Sequence, residues 1–306
     1  MRERILAIVG AVALVAVAVA LRAQLADDDT TGAERSGGGR PVVACTPDLM
    51  AVCDALVADG RIADDPPELD LGEEAATARA GDRRIDGWVT WDPAPGVANF
   101  EADELQVDRP WEGSSAVAAS PIAVAVRVRD GSLGPDCAGG RPPWTCVADA
   151  ARLDPPLAVG VGTGRTAESL ARFQPVAATL APEGDYLDLL QSDVRAVLDS
   201  PTQGQRSFAA QLDTLLTAPG ALNLVVGPQA AMPQDARTGI WTPQPAAEMV
   251  VVLAWRTGGS GEGVADRFGS DRVEAALRDV GVAPGAGTLA PEGRAGELFQ
   301  VRQKVG

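Results

Sequence analysis

The chain has 306 residues, a net charge of -16, no histidine and a single tyrosine, Tyr186. Such a charge argues against nucleic acid, and against an anionic membrane surface, as partners. Without histidine the commonest general base and metal ligand are missing, so the chain is read as a non-enzyme with no catalytic residue, no metal site and no cofactor.

Ile5 to Leu21 is an uncharged apolar run, preceded by Arg2 and Arg4 and followed by Asp27, Asp28 and Asp29. As a helix it is roughly 25 Å long, within the range that spans a bilayer. Basic residues before it and acidic ones after it put the rest of the chain outside the cytoplasm. Residues 1–23 are therefore expected to be a signal anchor or transmembrane helix that holds the protein on the cell membrane. Small residues at Ala18, Ala20 and Ala23 leave secretion after signal cleavage as the alternative. Residues 24–40, with the run Gly37-Gly38-Gly39, have little to bury and read as a flexible linker.

From Pro41 the pattern becomes short apolar strand, turn, amphipathic helix. Strands are expected at Pro41 to Cys45, Glu68 to Leu71 and Asp86 to Thr90, with helices at Pro47 to Asp59 and Glu73 to Arg79. Strands alternating with helices imply βαβ units and a parallel sheet, hence the α/β class. Ala116 to Arg129 is a long β-rich stretch broken by Ser120-Pro121. Proline does not belong inside a central ladder, so the strand is expected to leave one sheet there and enter another. Beyond it lie a helix at Cys146 to Ala151 and a strand at Leu157 to Val161, then a helix opened by Gly162-Thr163-Gly164-Arg165-Thr166 and running to Arg172. Helices follow at Asp185 to Asp199 and Ser207 to Thr217, a strand at Asn223 to Val226, and the strongest strand signal at Ala247 to Arg256. Asp266 to Val280 reads as the last helix and Leu298 to Arg302 as a final strand.

The four cysteines, Cys45, Cys53, Cys137 and Cys146, form two local pairs. In an exported chain they suggest disulfides, with three connectivities open and the local pairing, 45 with 53 and 137 with 146, expected. Each bond closes a short loop, for a stabilisation of roughly 2.5 kcal/mol in the chain-entropy treatment.

The order of these elements resembles the type 2 periplasmic solute-binding proteins, in the branch of actinobacterial extracellular substrate-binding domains. The resemblance is carried by DGWVTWDPAP at 86–95, SSAVAASPIAVAV at 114–126, LAVGVGTGRTAESL at 157–170, GALNLVVGPQAAM at 220–232 and VADRFGSDRVEAALRDVGVAPGAG at 264–287. It implies a two-lobed fold, with residues 41–117 plus 247–306 as lobe 1, residues 118–246 as lobe 2 and a ligand in the cleft between. Relatives include binding components of ABC importers, some fused to a von Willebrand A domain. The chain has no DxSxS metal-adhesion motif, so the resemblance is to the branch without that domain. An ABC permease or a separate von Willebrand A protein are the partners it implies.

In such a cleft, contacts come from strand C-termini and helix N-termini, whose free N–H groups and dipole favour an anion. Thr46 and Asp48 sit at the first strand-to-helix turn, Ser114 and Ser115 before the crossover, and Gln229 at a later turn. Thr163, Gly164, Arg165 and Thr166 form the strongest candidate, since glycine permits close backbone approach and a guanidinium grips an oxyanion bidentately. Trp91, ahead of the Asp92-Pro93 turn, offers an aromatic face to an organic ligand. The function expected is a tethered, extracytoplasmic solute-binding protein that closes on a small ligand, an anion being suited to the helix opening. The alternative is a ligand-free scaffold or sensor ectodomain that uses the same fold to bind protein.

Overall fold

The computed structural model describes residues 40–72, 85–127, 135–137, 140–162, 164–180, 207–218, 220–233, 238–256, 268–285, 287–289, 295–296 and 298–300. The expected N-terminal anchor, the linker up to residue 39, and the expected helices Glu73 to Arg79 and Asp185 to Asp199 lie outside these residues. No helix among the described residues is long and apolar enough to cross a membrane.

The core is a mixed sheet of order β1 (Val43–Cys45), β2 (Gly87–Trp91), β7 (Glu248–Trp255), β3 (Gly113–Val126), β5 (Leu224–Pro228) and β4 (Val159–Gly160), with β6 (Gly239–Trp241) and β8 (Ala283–Pro284) also pairing β3. Its centre is β7, Glu248–Trp255, whose residues from Met249 to Ala254 are all buried. A strand flanked on both edges and covered on both faces must be apolar throughout, which is why this run carries no alternation. It pairs antiparallel with β2, Gly87–Trp91, on one side and with β3, Gly113–Val126, on the other.

The break at Ser120-Pro121 does what the sequence suggests. Residues Gly113 to Pro121 of β3 pair with β7, and Ile122 to Val126 pair with β5, Leu224–Pro228. One continuous strand thus belongs first to a half-sheet with β1 (Val43–Cys45), β2 and β7, and then to one with β4 (Val159–Gly160), β5 and β6 (Gly239–Trp241). The expected parallel sheet is corrected to a mixed one: among the described strands only β1 with β2 and β4 with β5 run parallel, and the other pairs are antiparallel.

Helices cover these halves: α1 at Met50–Ala58, α2 at Ala94–Glu104, α3 at Thr145–Arg152, α4 at Ala167–Leu180, α5 at Phe208–Thr217 and α6 at Asp271–Asp279. The sequence reading missed α2, because Pro95 and Gly96 look like breakers. In the first turn of a helix, however, the proline ring displaces no intrahelical hydrogen bond, and there it is buried with Ala94 and Val97. Glu68 to Leu71 is not a strand but makes a single parallel bridge to Cys45. Leu298 to Gln300 is helical, not the expected final strand. Helix α4 runs past Arg172 to Leu180, through Pro175. The strand β8, Ala283–Pro284, pairs with β3.

Both local disulfides form, Cys45 to Cys53 with a Cα separation of 6.3 Å and Cys137 to Cys146 with 5.7 Å. The first ties the end of β1 to α1 within the buried core, the second anchors the loop ahead of α3. Such bonds fit an oxidising compartment.

Candidate functional site

Where β1 ends, the chain turns at Thr46-Pro47-Asp48 into a short 3-10 segment, Pro47–Leu49. The Thr46 amide donates to the Val89 carbonyl at 3.1 Å, so this turn is fixed to β2. Two residues on, the indole Nε1 of Trp91 donates to the Asp48 carboxylate at 2.5 Å. Two expected ligand residues from separate parts of the sequence are thus in contact. Thr46 is fully buried, and its Oγ1, like that of Thr90, has no hydrogen-bond partner.

Burial pushes the Asp48 carboxyl up to about 7, and the nearby carboxylates Glu168 and Asp70 add to the rise, while the bond from Trp91 opposes it. Glu168 belongs to the first turn of α4, so the β1–β2 half-sheet and the start of this helix meet here. Helix α4 also packs on β2 and β7.

The opening of α4 is built by glycines and a reciprocal cap. Gly162 and Gly164 take positive φ values of +94° and +70°, a region that only glycine enters freely. The Thr166 amide donates to Ser169 Oγ and the Ser169 amide to Thr166 Oγ1, both at 3.1 Å, so two free donors of the helix end are satisfied by a mutual pair. A third, the Ala167 amide, donates to Asp70 Oδ1 at 2.9 Å. Arg165 is exposed beside this opening, and Thr163 lies outside the described residues.

The two glycines differ in what surrounds them, which gives a first test. A Cβ on Gly162 would stand 2.7 Å from Ser169 Cβ, whereas on Gly164 the nearest atom is 3.7 Å away. Gly162→Ala is expected to lose about 2–4 kcal/mol, from the left-handed backbone and the overlap together, and Gly164→Ala about 1 kcal/mol, from the backbone alone. Thermal melts of both variants check this, and equal losses would contradict the packing described.

One turn into α4, Arg172 is wholly enclosed. Its guanidinium donates to Gln211 Oε1 at 2.7 Å and to the Val226 carbonyl at 3.3 Å, lies 5.8 Å from the Phe208 ring centroid and stands 4.0 Å from Glu168. Glu168 in turn accepts from the Phe208 amide with both oxygens, at 3.1 and 3.2 Å. Burial holds the Arg172 guanidinium below its ordinary pKa, against the pull of Glu168 and Asp48. The sequence reading missed Arg172, Glu168, Gln211 and Asp70. For the first two a signal existed, since a Glu and an Arg four residues apart on a helix otherwise lined by Leu170, Ala171 and Phe173 make an ion pair on an apolar face. For Asp70 and Gln211 nothing local marks them.

Other expected contacts lie elsewhere. Ser114 and Ser115 are half-buried within β3, opposite Ala254 and Leu253 of β7, so they form part of a ladder instead of a turn. Gln229 is exposed in the 3-10 segment Gln229–Ala231 after β5. Trp88 is buried, stacked 5.6 Å from Trp111, and packs the core. Between α4 and the start of β7 lies a cavity of about 480 Å³ lined by Asp92, Gln174, Pro175, Ala247, Glu248 and Leu289, among others. Among the described residues no cluster of side chains is suited to hold a metal ion.

No protein-family profile matches the chain, and no curated protein does. Solved structures do. A periplasmic thiamin binding protein aligns with a TM-score of 0.56 at 11% identity, covering 87% of this chain and 95% of that one. The Atu4243-GABA receptor aligns with a TM-score of 0.54 at 13% identity, over 87% and 95%. The periplasmic binding protein AfuA from Actinobacillus pleuropneumoniae, with fructose-6-phosphate bound, gives 0.52 at 12%, over 88% and 97%. At these identities the likeness speaks for the fold, and the body of this chain has the mixed α/β fold of the periplasmic solute-binding proteins.

Proposed function

We propose that the chain is an extracytoplasmic solute-binding protein, tethered to the cell membrane by residues 1–23, that closes two lobes on a small ligand. Lobe 1 is residues 41–117 plus 247–306 and lobe 2 is residues 118–246. The ligand carries an anionic group that meets the exposed Arg165 beside the opening of α4, since the Thr166, Ala167 and Ser169 amides are already engaged by Ser169, Asp70 and Thr166, and the buried Trp91 supports the site from behind. An ABC permease or a von Willebrand A protein reads the closed form.

The observation that carries this proposal is the meeting of the Asp48–Trp91 turn with the first turn of α4, two strand-end and helix-start segments from opposite halves of the sheet. Ligand sites in α/β folds gather at such places. The neighbours in fold are a periplasmic thiamin binding protein, a GABA receptor and a periplasmic binding protein with exogenous fructose-6-phosphate bound. A cavity of about 480 Å³ lies further along α4, at Gln174 and Pro175, and is of a size that holds a small organic molecule, but Arg165 and Trp91 do not line it.

Native mass spectrometry of the full-length protein purified from its source tests the proposal. A co-purifying small molecule is expected, with its mass lost on denaturation. A protein that arrives empty and binds nothing from a metabolite extract would instead favour the scaffold reading, in which the fold serves protein contacts alone.

A further inference from the structure

The cavity of about 480 Å³ between α4 and the start of β7 carries charge of one sign. Asp92 follows the last residue of β2, and its amide donates to the Val250 carbonyl at 2.9 Å, so it extends the antiparallel register one step beyond the pair Trp91 and Val251. Glu248 stands two residues before Val250 on β7, and residues two apart on a strand share a face. Asp92 and Glu248 are thus diagonal neighbours across the two strands, with backbones roughly 7–8 Å apart, and both border the cavity. The described residues that line it include no lysine and no arginine.

The other walls are apolar and tied down. From α4 come Pro175 and, one turn apart on one face of the helix, Gln174 and Ala178. The opposite side is the segment at residues 287–289. It is pressed to the sheet at Gly287, where a Cβ would stand 2.6 Å from Val250 and 2.9 Å from Ala119, and the Thr288 amide donates to Glu248 Oε2 at 3.3 Å. Leu289, on the rim, is 39% exposed. A volume of this size is more than a bare metal ion needs and suits a small organic molecule. An anion would meet two carboxylates there. An ammonium or guanidinium group would make charge-assisted hydrogen bonds with them, while a hydrocarbon stem lay on Pro175, Ala178 and Leu289. The net charge of -16 raises the local concentration of such cations.

We propose that this cavity binds a small organic cation, a primary amine or guanidine on a short alkyl stem, with its charged head between Asp92 and Glu248. The site goes beyond the anion site proposed at Arg165 and shares no lining residue with it.

Isothermal titration calorimetry of the full-length protein with agmatine, and with butyrate as the anionic control, tests this assignment. Agmatine is expected to bind, more weakly as salt is added, and butyrate is not. Asp92→Asn and Glu248→Gln are each expected to weaken agmatine about tenfold or more. Ala178→Leu, which fills part of the cavity and keeps both charges, is expected to weaken it as well. Arg165→Ala should leave agmatine binding unchanged, so that loss of the anion site and loss of this one are told apart. No heat of binding from agmatine, equal binding of butyrate, or an agmatine affinity unchanged in folded Asp92→Asn and Glu248→Gln proteins would each overturn the proposal. Should the variants not fold, hydrogen exchange of the wild-type protein decides: saturating agmatine is expected to slow the Thr288 and Leu289 amides, and unchanged exchange there would overturn it too. Failure to find a bound molecule in native mass spectrometry would remove the solute-binding proposal and leave these outcomes untouched.

Discussion

Arg172→Met is expected to be among the most damaging single substitutions in this protein, lowering stability by about 3–5 kcal/mol. The reason is what the side chain leaves behind. Glu168 would lose the cation 4.0 Å away, and Gln211 Oε1 and the Val226 carbonyl would each lose a donor, all in a region closed to water. The volume of methionine is adequate, so the loss is polar and not steric. For a chain of this size that amounts to a fall in Tm of roughly 6–20 °C in differential scanning calorimetry. Adding Glu168→Gln should recover part of it, because no unpaired charge then stays inside. A fall of less than about 2 °C would show that the network carries little of the stability.

Asp48→Asn is expected to act in the opposite direction, and only at higher pH. A carboxyl raised from 3.8 to about 7 in the folded protein binds a proton more tightly there than in the unfolded chain. Folding stability from this group is thus intact below about pH 4, declines through the interval and is lowest above about 7. Full linkage would be a little over 4 kcal/mol, which we reduce to about 2 kcal/mol because the half-buried side chain keeps some contact with water. Asparagine retains an oxygen for the Trp91 indole and has no charge to bury. At pH 8 the variant should therefore melt roughly 4–8 °C above wild type, and at pH 4 the two should coincide. Equal melting temperatures at both pH values would mean that Asp48 ionises without cost.

Much of the scaffold could be read from local pattern. The uninterrupted run in β7, the proline break in β3 and the two cysteine pairs each reflect a constraint acting within about ten residues, and each appears as expected. The helix Ala94–Glu104 was hidden because a proline means different things in the first turn of a helix and in its middle. The direction of pairing was misjudged because β7 returns antiparallel between two strands that precede it. In the candidate site, Asp48 and Trp91 were visible as residues at strand ends, and the positive φ of Gly162 and Gly164 agrees with a helix opening that needs glycine. Asp70 was not visible. Its partner lies 97 positions away and the bond goes to a backbone amide, which leaves no side-chain pattern to find.

The course of β3 and β7 also bears on the order in which the molecule can assemble. The strands β1 and β2 emerge early, yet β7, which joins β2 to β3, is made only after the strands β4, β5 and β6. The second half-sheet is an insertion whose strand partners, such as Val159 with Leu224 and Ile122 with Pro228, are nearer in sequence than Trp91 and Val251 of β2 and β7, so its loop-closure cost is somewhat lower. During synthesis the first half must wait with the edges of β2 and β3 unpaired, exposed to other chains until Glu248–Trp255 arrives. The disulfide between Cys45 and Cys53 is a strong restraint that can form in that waiting segment, and it fixes β1 against α1 before the sheet exists to hold them.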